Sequence, residues 1–265
     1  MYHPVFGLSV PDRGWVPAPR YLLRRHRILK LLAPLPKGRV LEIGCGAGAL
    51  LEDLSRMGFV CDAVEASESA FQLASSLHAD NSEVTIHPRP RDDWDGAFDV
   101  VMAFEVLEHI EDDGEALARW RRCLKPGSHL LISVPAHQSR WNAHDVWAGH
   151  FRRYDRSQLT SLLERGGFEV AHFECYGFPL ADIIQPLRAA ISSRHLKRVE
   201  AASGSRHSRA AGTADSGVMR VTETRLWPVQ ASWLGVGILR FFFWLQGLFG
   251  NSDLGSGYIV IGKKK

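Results

Sequence analysis

The sequence predicts an α/β fold: an open, mostly parallel sheet with a nucleotide-like ligand at its carboxyl edge. Three observations carry this. Between residues 39 and 174, short apolar runs suited to buried strands alternate with helical stretches. The first run, Arg39–Ile43, feeds a glycine turn (Gly44–Gly48) and then a helix start at Ala49. That order gathers backbone N–H groups and a positive helix end at one point. A second run, Val60–Val64, ends in Glu65 about twenty residues beyond the turn, where a carboxylate can accept both hydroxyls of a ribose.

Size and composition set the bounds. A chain of 265 residues holds one large domain, or one domain with a substantial insertion. Hydrophobic content of 45% and charged content of 23% give an ordinary globular chain with ample core. A formal charge of +3 makes no case for nucleic acid, and no nucleic-acid partner is expected. Cys45, Cys61, Cys123 and Cys175 lie far apart with no C-x-x-C pair, so neither a zinc site nor a disulfide framework is expected. A reducing, cytoplasmic location fits this usage.

Met1–Pro19 carries Pro4, Gly7, Pro11, Gly14, Pro17 and Pro19, which excludes a regular helix and a signal-peptide core. Arg20–Leu32 is predicted helical. Leu22, Leu29 and Leu32 form its apolar stripe, and Arg20, Arg24, Arg27 and Lys30 form a basic face, solvated or turned to an anionic substrate or headgroup. Residues 1–38 thus make an arm and a basic helix. Helices follow at Ala49–Met57 and at Ser67–His78, with Ser67 as N-cap and Glu68 in the first turn. Glu83–His87 is the third strand and Phe98–Phe104 the fourth. Glu105, Glu108 and His109 then fall at i, i+3 and i+4, on one face of a predicted helix. Glu115–Cys123 is a helix, Leu124–Gly127 a turn, and His129–Val134 the fifth strand. The loop His137–Asp155 is dense in aromatic and basic residues. Ser157–Gly166 is a helix with Ser157 near its N-cap, and Phe168–Glu174 is the sixth strand.

The motifs VLEIGCGAG (Val40–Gly48), VEAS (Val64–Ser67), FDVVMAFEVLEHI (Phe98–Ile110), LKPGSHLLISVP (Leu124–Pro135) and LLERGGFEV (Leu162–Val170) resemble those of class I S-adenosylmethionine-dependent methyltransferases, in the group that includes the ubiquinone-biosynthesis O-methyltransferases. They keep that family's order and approximate spacing over Arg39–Glu174. The resemblance implies a Rossmann-like seven-stranded sheet in the order 3-2-1-4-5-7-6. It implies S-adenosyl-L-methionine as cofactor, held by Glu42, Gly44, Cys45, Gly46, Gly48, Glu65, Ala66, Phe104 and Glu105. His87–Asp95 departs from the family pattern: His87, Pro88 or Arg89 stands where an acid normally holds the adenine amine, and the nearest acids are Asp92 and Asp93. In the ubiquinone-type enzymes a similar E-x-x-E-H is associated with a divalent cation. Here Glu105 and Glu108 are read as N-terminal helix acids and His109 as a packing residue, with no metal assigned.

The family normally places a seventh, antiparallel strand soon after the sixth. The matching strand here is Tyr258–Gly262, which leaves 175–256 as a helical insertion in a methyltransferase domain of residues 39–174 and 257–265. Pro179–Arg194 is predicted helical despite Pro186, and 203–217 is small, polar and without structure by composition. Leu226–Phe249 is strongly apolar and is read as one helix of membrane length, opened by Pro228 and closed by Gly250 and Asn251. It is not expected to span, because the seventh strand must return to the sheet that the sixth left. It should lie on a membrane, pack against the protein or pair with a second copy in a homodimer. Arg188, Arg194, Lys197, Arg198, Arg206, Arg209 and the Lys263–Lys265 tail favour an anionic bilayer, and hence peripheral attachment at the inner membrane face.

The resemblance implies methyl transfer, read as O-methylation of a small-molecule or lipid-linked amphiphilic acceptor. A hydroxyl acceptor needs a base, and His109, His144 and His150 are candidates because imidazole titrates near neutrality. His150 is the first choice. Its neighbours Arg152, Arg153 and Tyr154 could hold a phosphate or carboxylate on the acceptor. Catalysis is therefore placed on His150, His109 and Tyr154, and acceptor binding on His144, Arg152 and Arg153. Three alternatives compete. Ala49 standing where a G-x-G-x-x-G fingerprint needs its third glycine disfavours a nicotinamide oxidoreductase. An aminopropyl transferase lacks a visible acidic amine cavity. A non-catalytic, membrane-associated binder of the donor is disfavoured because the glycines and Glu65 are all present.

Overall fold

The computed structural model describes residues 1–203 and 221–265. Seven strands form one sheet: β1 (Arg39–Ile43), β2 (Val60–Val64), β3 (Val84–His87), β4 (Phe98–Phe104), β5 (Leu124–Pro135), β6 (Phe168–Tyr176) and β7 (Gly257–Lys264). Their order is β3-β2-β1-β4-β5-β7-β6, the predicted one. Pairing is parallel from β3 through β5, and β7 runs antiparallel to both β5 and β6. A short ribbon of Tyr2–His3 and Gly7–Leu8 precedes them. Val40 and Leu41, Val100 to Ala103, and Leu130 to Ile132 are buried, as expected of central strands covered on both faces.

The helices are α1 (Pro19–Leu32), α2 (Ala49–Arg56), α3 (Glu68–Leu77), α4 (Asp113–Cys123), α5 (Ala143–Ala148), α6 (Arg156–Arg165), α7 (Leu180–Ser203), α8 (Val221–Gln230) and α9 (Trp233–Phe249). Several boundaries correct the sequence-based ones. Leu124–Gly127 is not a separate turn. It opens β5, whose pairing with β4 slips between Phe98–Leu124 and Val100–His129, with Gly127 at a φ of +71°. Helix α6 is capped by Asp155, which forms a reciprocal capping box with Gln158, and not by Ser157. Glu105 lies outside any helix, at a φ of +58°, and only Leu107–His109 makes a single 3₁₀ turn. The i, i+3, i+4 face expected for Glu105, Glu108 and His109 therefore does not form.

Helix α1 is not a solvated basic element. Its Arg25, Arg27, Arg20 and Arg24 each meet an acid on another element. Buried Arg25 pairs with buried Asp53 on α2, at 2.6 Å from Nε to Oδ2. Arg27 makes a two-pronged pair with Glu174 on β6 at 2.8 and 2.6 Å. Arg20 reaches Glu105 at 2.8 Å, with Arg24 at 3.5 Å. The opposite face of α1 buries Leu22, Leu23, Ile28 and Leu32 in the core.

The chain between β6 and β7 carries the helices α7, α8 and α9, but Leu226–Phe249 is not one helix. Helices α8 and α9 meet at a 94° bend. Ser232 causes the restart, its Oγ capping α9 by accepting the Gly235 N–H. No single described helix is long and apolar enough to cross a membrane, though the bent pair has the length and composition together. One face of α9 packs onto α1: Leu239 and Phe243 are buried, and the Phe243 ring stacks on His26 at 4.5 Å. Gln246, also buried, donates to the Leu23 carbonyl and accepts the Gly177 N–H. The described residues leave the other face of α9 uncovered, with Trp233 at 85%, Trp244 at 60% and Phe241 at 53% exposure. The stretch expected to be unstructured, 203–217, lies outside the described residues from 204 onward, with Arg206 and Arg209.

Asp53→Ala should destabilise the fold by about 3–5 kcal/mol, because it leaves the Arg25 charge buried and uncompensated. Urea unfolding of the variant checks this, and a loss below about 1 kcal/mol would show that Arg25 finds water.

Candidate active site

The carboxyl ends of β1, β2 and β4 meet where an open α/β sheet binds its ligand. At the end of β1, Gly44, Gly46 and Gly48 all have positive φ (70°, 56° and 70°), a conformation that a side chain resists. A Cβ at Gly44 would also come within 2.7 Å of Val106. The turn is fixed to β2 by Gly44 and Cys45, whose N–H groups both reach the Val64 carbonyl. Glu65 then bridges the turn and α3: one carboxylate oxygen accepts the Gly46 N–H and the other the Ser67 N–H, each at 2.8 Å. A carboxylate oxygen has two lone pairs, so both still have capacity for a diol. Ala66 lies between those two anchor points. The sequence expectation that Ser67 caps α3 is met in position only, since no side-chain cap bond forms.

Glu42 lies beneath the turn, and its Oε2 has no hydrogen-bond partner among the described residues. Burial pushes its carboxyl up to about 8, with Arg24 opposing. Cys45 is a free thiol whose pKa burial also raises. Phe104 closes β4 with the Arg24 guanidinium 6.0 Å from its ring centre. Glu105 accepts hydrogen bonds from Ser133 and Tyr176, both at 3.2 Å, besides its two arginines. Burial alone would raise its pKa, but Arg20 and Arg24 outweigh that and hold the carboxyl at about 2. At the expected adenine position, His87 instead donates to or accepts from Asp62 at 3.0 Å and meets the Trp94 ring edge-on.

A second cluster lies beyond β4. Glu108 is fully buried, and neither carboxylate oxygen has a hydrogen-bond partner among the described residues. Burial, then Glu105, raises its pKa well above the ordinary value. His109 and His150 meet edge-to-face with ring centres 4.7 Å apart, and burial followed by His150 lowers His109 to about 4. His150 Nδ1 is 2.9 Å from Asp145 Oδ1 and its Nε2 is 3.9 Å from Glu108.

The residues expected to hold an acceptor are otherwise engaged. Arg153 is buried and places both prongs of its guanidinium on Asp145, at 2.8 Å each. Arg152 pairs with Asp113 at 2.6 Å and reaches the Glu111 carbonyl. Tyr154 is buried with its hydroxyl 3.0 Å from Asp113, and burial raises its pKa. His144 ties α5 to α7: Arg188 donates to its Nε2 at 2.8 Å, and Ser192 lies 3.1 Å from its Nδ1. Because arginine can only donate, Nδ1 carries the proton. Arg188 is thereby drawn inward, away from the basic surface expected of it. Asp145, Tyr176 and Ser133 were not singled out in the sequence. Asp145 could have been, since it stands five residues before His150 in the same loop.

A switch-point cradle of glycines and one ribose-type acid defines the class I, Rossmann-like nucleotide-binding enzymes. Within that class, residues 18–172, more than half of the chain, match the methyltransferase domain family, and the chain belongs to it. It thus carries a methyltransferase domain. Among curated proteins it is 41% identical over 119 residues to the ubiquinone biosynthesis O-methyltransferase of Bradyrhizobium diazoefficiens, covering 42% of this chain and 44% of that one. It is 33% identical over 161 residues to a probable S-adenosylmethionine-dependent methyltransferase of Mycolicibacterium smegmatis, covering 57% and 60%. The chain thus spans less than two thirds of either relative. Solved structures share the fold: the [4+2]-cyclase SpnF at a TM-score of 0.60 and 17% identity, covering 99% of this chain and 87% of that one, and a Haemonchus contortus phosphoethanolamine N-methyltransferase holding S-adenosyl-L-methionine at 0.54 and 18%, covering 91% and 52%.

The buried state of His144 sets a pH dependence. Burial, then Arg188, lowers its pKa to about 2, whereas an unfolded histidine titrates near 6.5. The unfolded chain binds the extra proton below about 6.5, so stability should fall as pH drops from there. His144→Gln should flatten the slope of unfolding free energy between about pH 6.5 and 4. An unchanged slope would show that the ring is solvated.

Proposed function

We propose that this methyltransferase transfers the donor's sulfonium methyl to an oxygen of a small amphiphilic acceptor, one with a lipid or prenyl part. The observation that carries this is the uncovered apolar face of α9, on a segment that leaves and re-enters the sheet at its carboxyl edge. It is supported by the similarity to ubiquinone biosynthesis O-methyltransferases. The donor assignment rests on the cradle: Gly44, Gly46 and Gly48 let its backbone approach, Glu65 takes the ribose, and Cys45 and Ala66 line the way. Glu42, Phe104 and Glu105 border the methionine end, where Arg24 and Arg20 offer cations to its carboxylate. The sulfonium is already activated, so aligning acceptor oxygen, methyl and sulfur supplies much of the rate, up to roughly 7–11 kcal/mol. As the O–C bond forms, the C–S bond breaks, S-adenosylhomocysteine departs, and the hydroxyl proton passes to an imidazole of the His109–His150 pair. Arg152, Arg153, Tyr154 and His144 brace the loop that carries that pair.

The apolar face of α9, with Arg240 as its one charged residue, would rest in an anionic bilayer from which the acceptor is drawn. Glu65→Ala should weaken donor binding by about 1.5–3 kcal/mol, read by calorimetry. Unchanged affinity in the folded variant would remove the ribose assignment. With methyl-labelled donor and a cell extract split into phases, label should enter the lipid phase. Replacing exposed Trp233, Phe241 and Trp244 together by serine should leave donor affinity intact while liposome sedimentation and lipid labelling fall. Label confined to the aqueous phase would refute the lipid-linked acceptor.

A further inference from the structure

The insertion leaves the sheet after β6 and returns to it at β7, and three side chains of different chemistry meet where it does so. His137 lies just past the end of β5, Cys175 near the end of β6, and Asp253 in the loop that leads into β7. Each offers one ligand atom, and the three atoms lie within 4.8 Å of one another. They stand far apart in the chain, with no C-x-x-C pair among them, so spacing does not reveal them.

We infer that His137, Cys175 and Asp253 form a zinc site that staples the ends of β5 and β6 to the loop entering β7, with a fourth position open to water. It uses no residue assigned above to donor, acceptor or proton transfer. An imidazole nitrogen, a thiolate sulfur and a carboxylate oxygen are donors that zinc takes in a tetrahedral array. The sulfur argues against magnesium and calcium, which take oxygen ligands. Cys175 is a free thiol, and binding displaces its proton. The S–H bond breaks, a sulfur–zinc bond forms, and the proton leaves to solvent. Thiolate and carboxylate then balance the two charges of the cation.

Three features of this chain support the set. The first is the state of His137. Its φ of +63° is strained for a residue with a side chain, and its ring is poorly satisfied. Nε2 is buried with no hydrogen-bond partner among the described residues, and Nδ1 lies 3.4 Å from the Tyr258 hydroxyl. A buried nitrogen in that state is costly unless a partner meets it. The second is the frame around the ligands. The Cys175 N–H donates to the Gly250 carbonyl at 2.9 Å and the Ala136 N–H to the Ser256 carbonyl at 3.1 Å, which fixes both ends of the loop carrying Asp253. Arg140 holds the same loop by the Leu254 and Gly255 carbonyls, at 3.2 Å each. The third is access. Cys175 is buried, but the Asp253 side chain is 51% exposed, so a cation can enter past it. Arg156 stands 3.7 Å from Asp253, beyond hydrogen-bond distance, and does not commit the carboxylate. The ligand atoms have only to close to about 3.4–3.6 Å, the spacing that tetrahedral bonds of ~2.0–2.3 Å require, and a half-exposed loop aspartate can supply that movement.

Zinc binding needs neither donor nor acceptor, so its test is independent of the methylation assay. The full chain, treated with chelator, is titrated with Zn²⁺ by calorimetry and with Co²⁺, a coloured stand-in, by near-ultraviolet and visible absorption. The expected result is saturable one-to-one binding, with a thiolate-to-cobalt charge-transfer band that requires a sulfur ligand. That band should be lost in Cys175→Ser and in His137→Gln, and retained in Cys123→Ser. Zinc affinity should fall by at least about 10-fold in Asp253→Asn, since even an outer partner of a ligand is worth that much. Zinc should also raise the unfolding temperature of the wild type, because it binds the folded chain. Should a buried substitution unfold the protein, the wild-type cobalt spectrum and Asp253→Asn, which alters a half-exposed loop side chain, still decide. No saturable binding, a cobalt complex without the charge-transfer band, a band that survives in Cys175→Ser, or unchanged zinc affinity in Asp253→Asn would overturn the inference.

Discussion

A buried guanidinium has to be met by an acid, and this requirement seats α1 on the molecule. Arg25 is answered from α2, Arg27 from β6, and Arg20 and Arg24 from the residue that ends β4. An unpaired charge at any of these points would cost several kcal/mol. The helix therefore has one position, lying across the carboxyl edge with its apolar side inward. The rest of the edge depends on that seat. Glu105 keeps its strained backbone because four groups hold its side chain, and α9 finds a surface to pack on because α1 is there first.

The two clusters at this edge are held in opposite ways. The cradle on β1 and β2 is built from backbone: glycine dihedrals, N–H groups and one carboxylate that spans them. The cluster beyond β4 is built from side chains supplied by a loop, and that loop is rigid only because its charges are spent internally. Arg153 and Asp145, Arg152 and Asp113, and Tyr154 and Asp113 make a braced frame around His150. A frame of this kind is hard to repurpose for ligand binding, since each prong removed leaves a partner uncovered.

What the sequence made legible is what short spacing controls. The glycine turn, Glu65 and the strands fall within windows where periodicity and turn chemistry speak directly. The strand order, including β7 between β5 and β6, came with the family likeness. The arginines of α1 looked like a solvated face because their acids lie as far away as Glu174, and no local pattern links them. Helix α9 looked like part of one long segment because both of its faces are apolar, one for α1 and one uncovered. Hydropathy cannot register the bend at Ser232, where a side-chain cap restarts the helix. The loop residues misled for a related reason: basic side chains next to a histidine read as ligand groups until their acidic partners are in place.

The position of β7 has a consequence for synthesis. In the sheet β6 pairs with β7 alone, and β7 is the last strand in the chain. Some eighty residues separate the two. At ~5–20 residues per second, a ribosome takes roughly 4–16 s to cross that gap. Throughout it, β5 presents a bare edge and β6 has no neighbour, while α1 waits for the helix that will cover it. The nascent chain thus carries its most apolar segment and two open strand edges at the same time, which is the interval in which a chaperone would be needed.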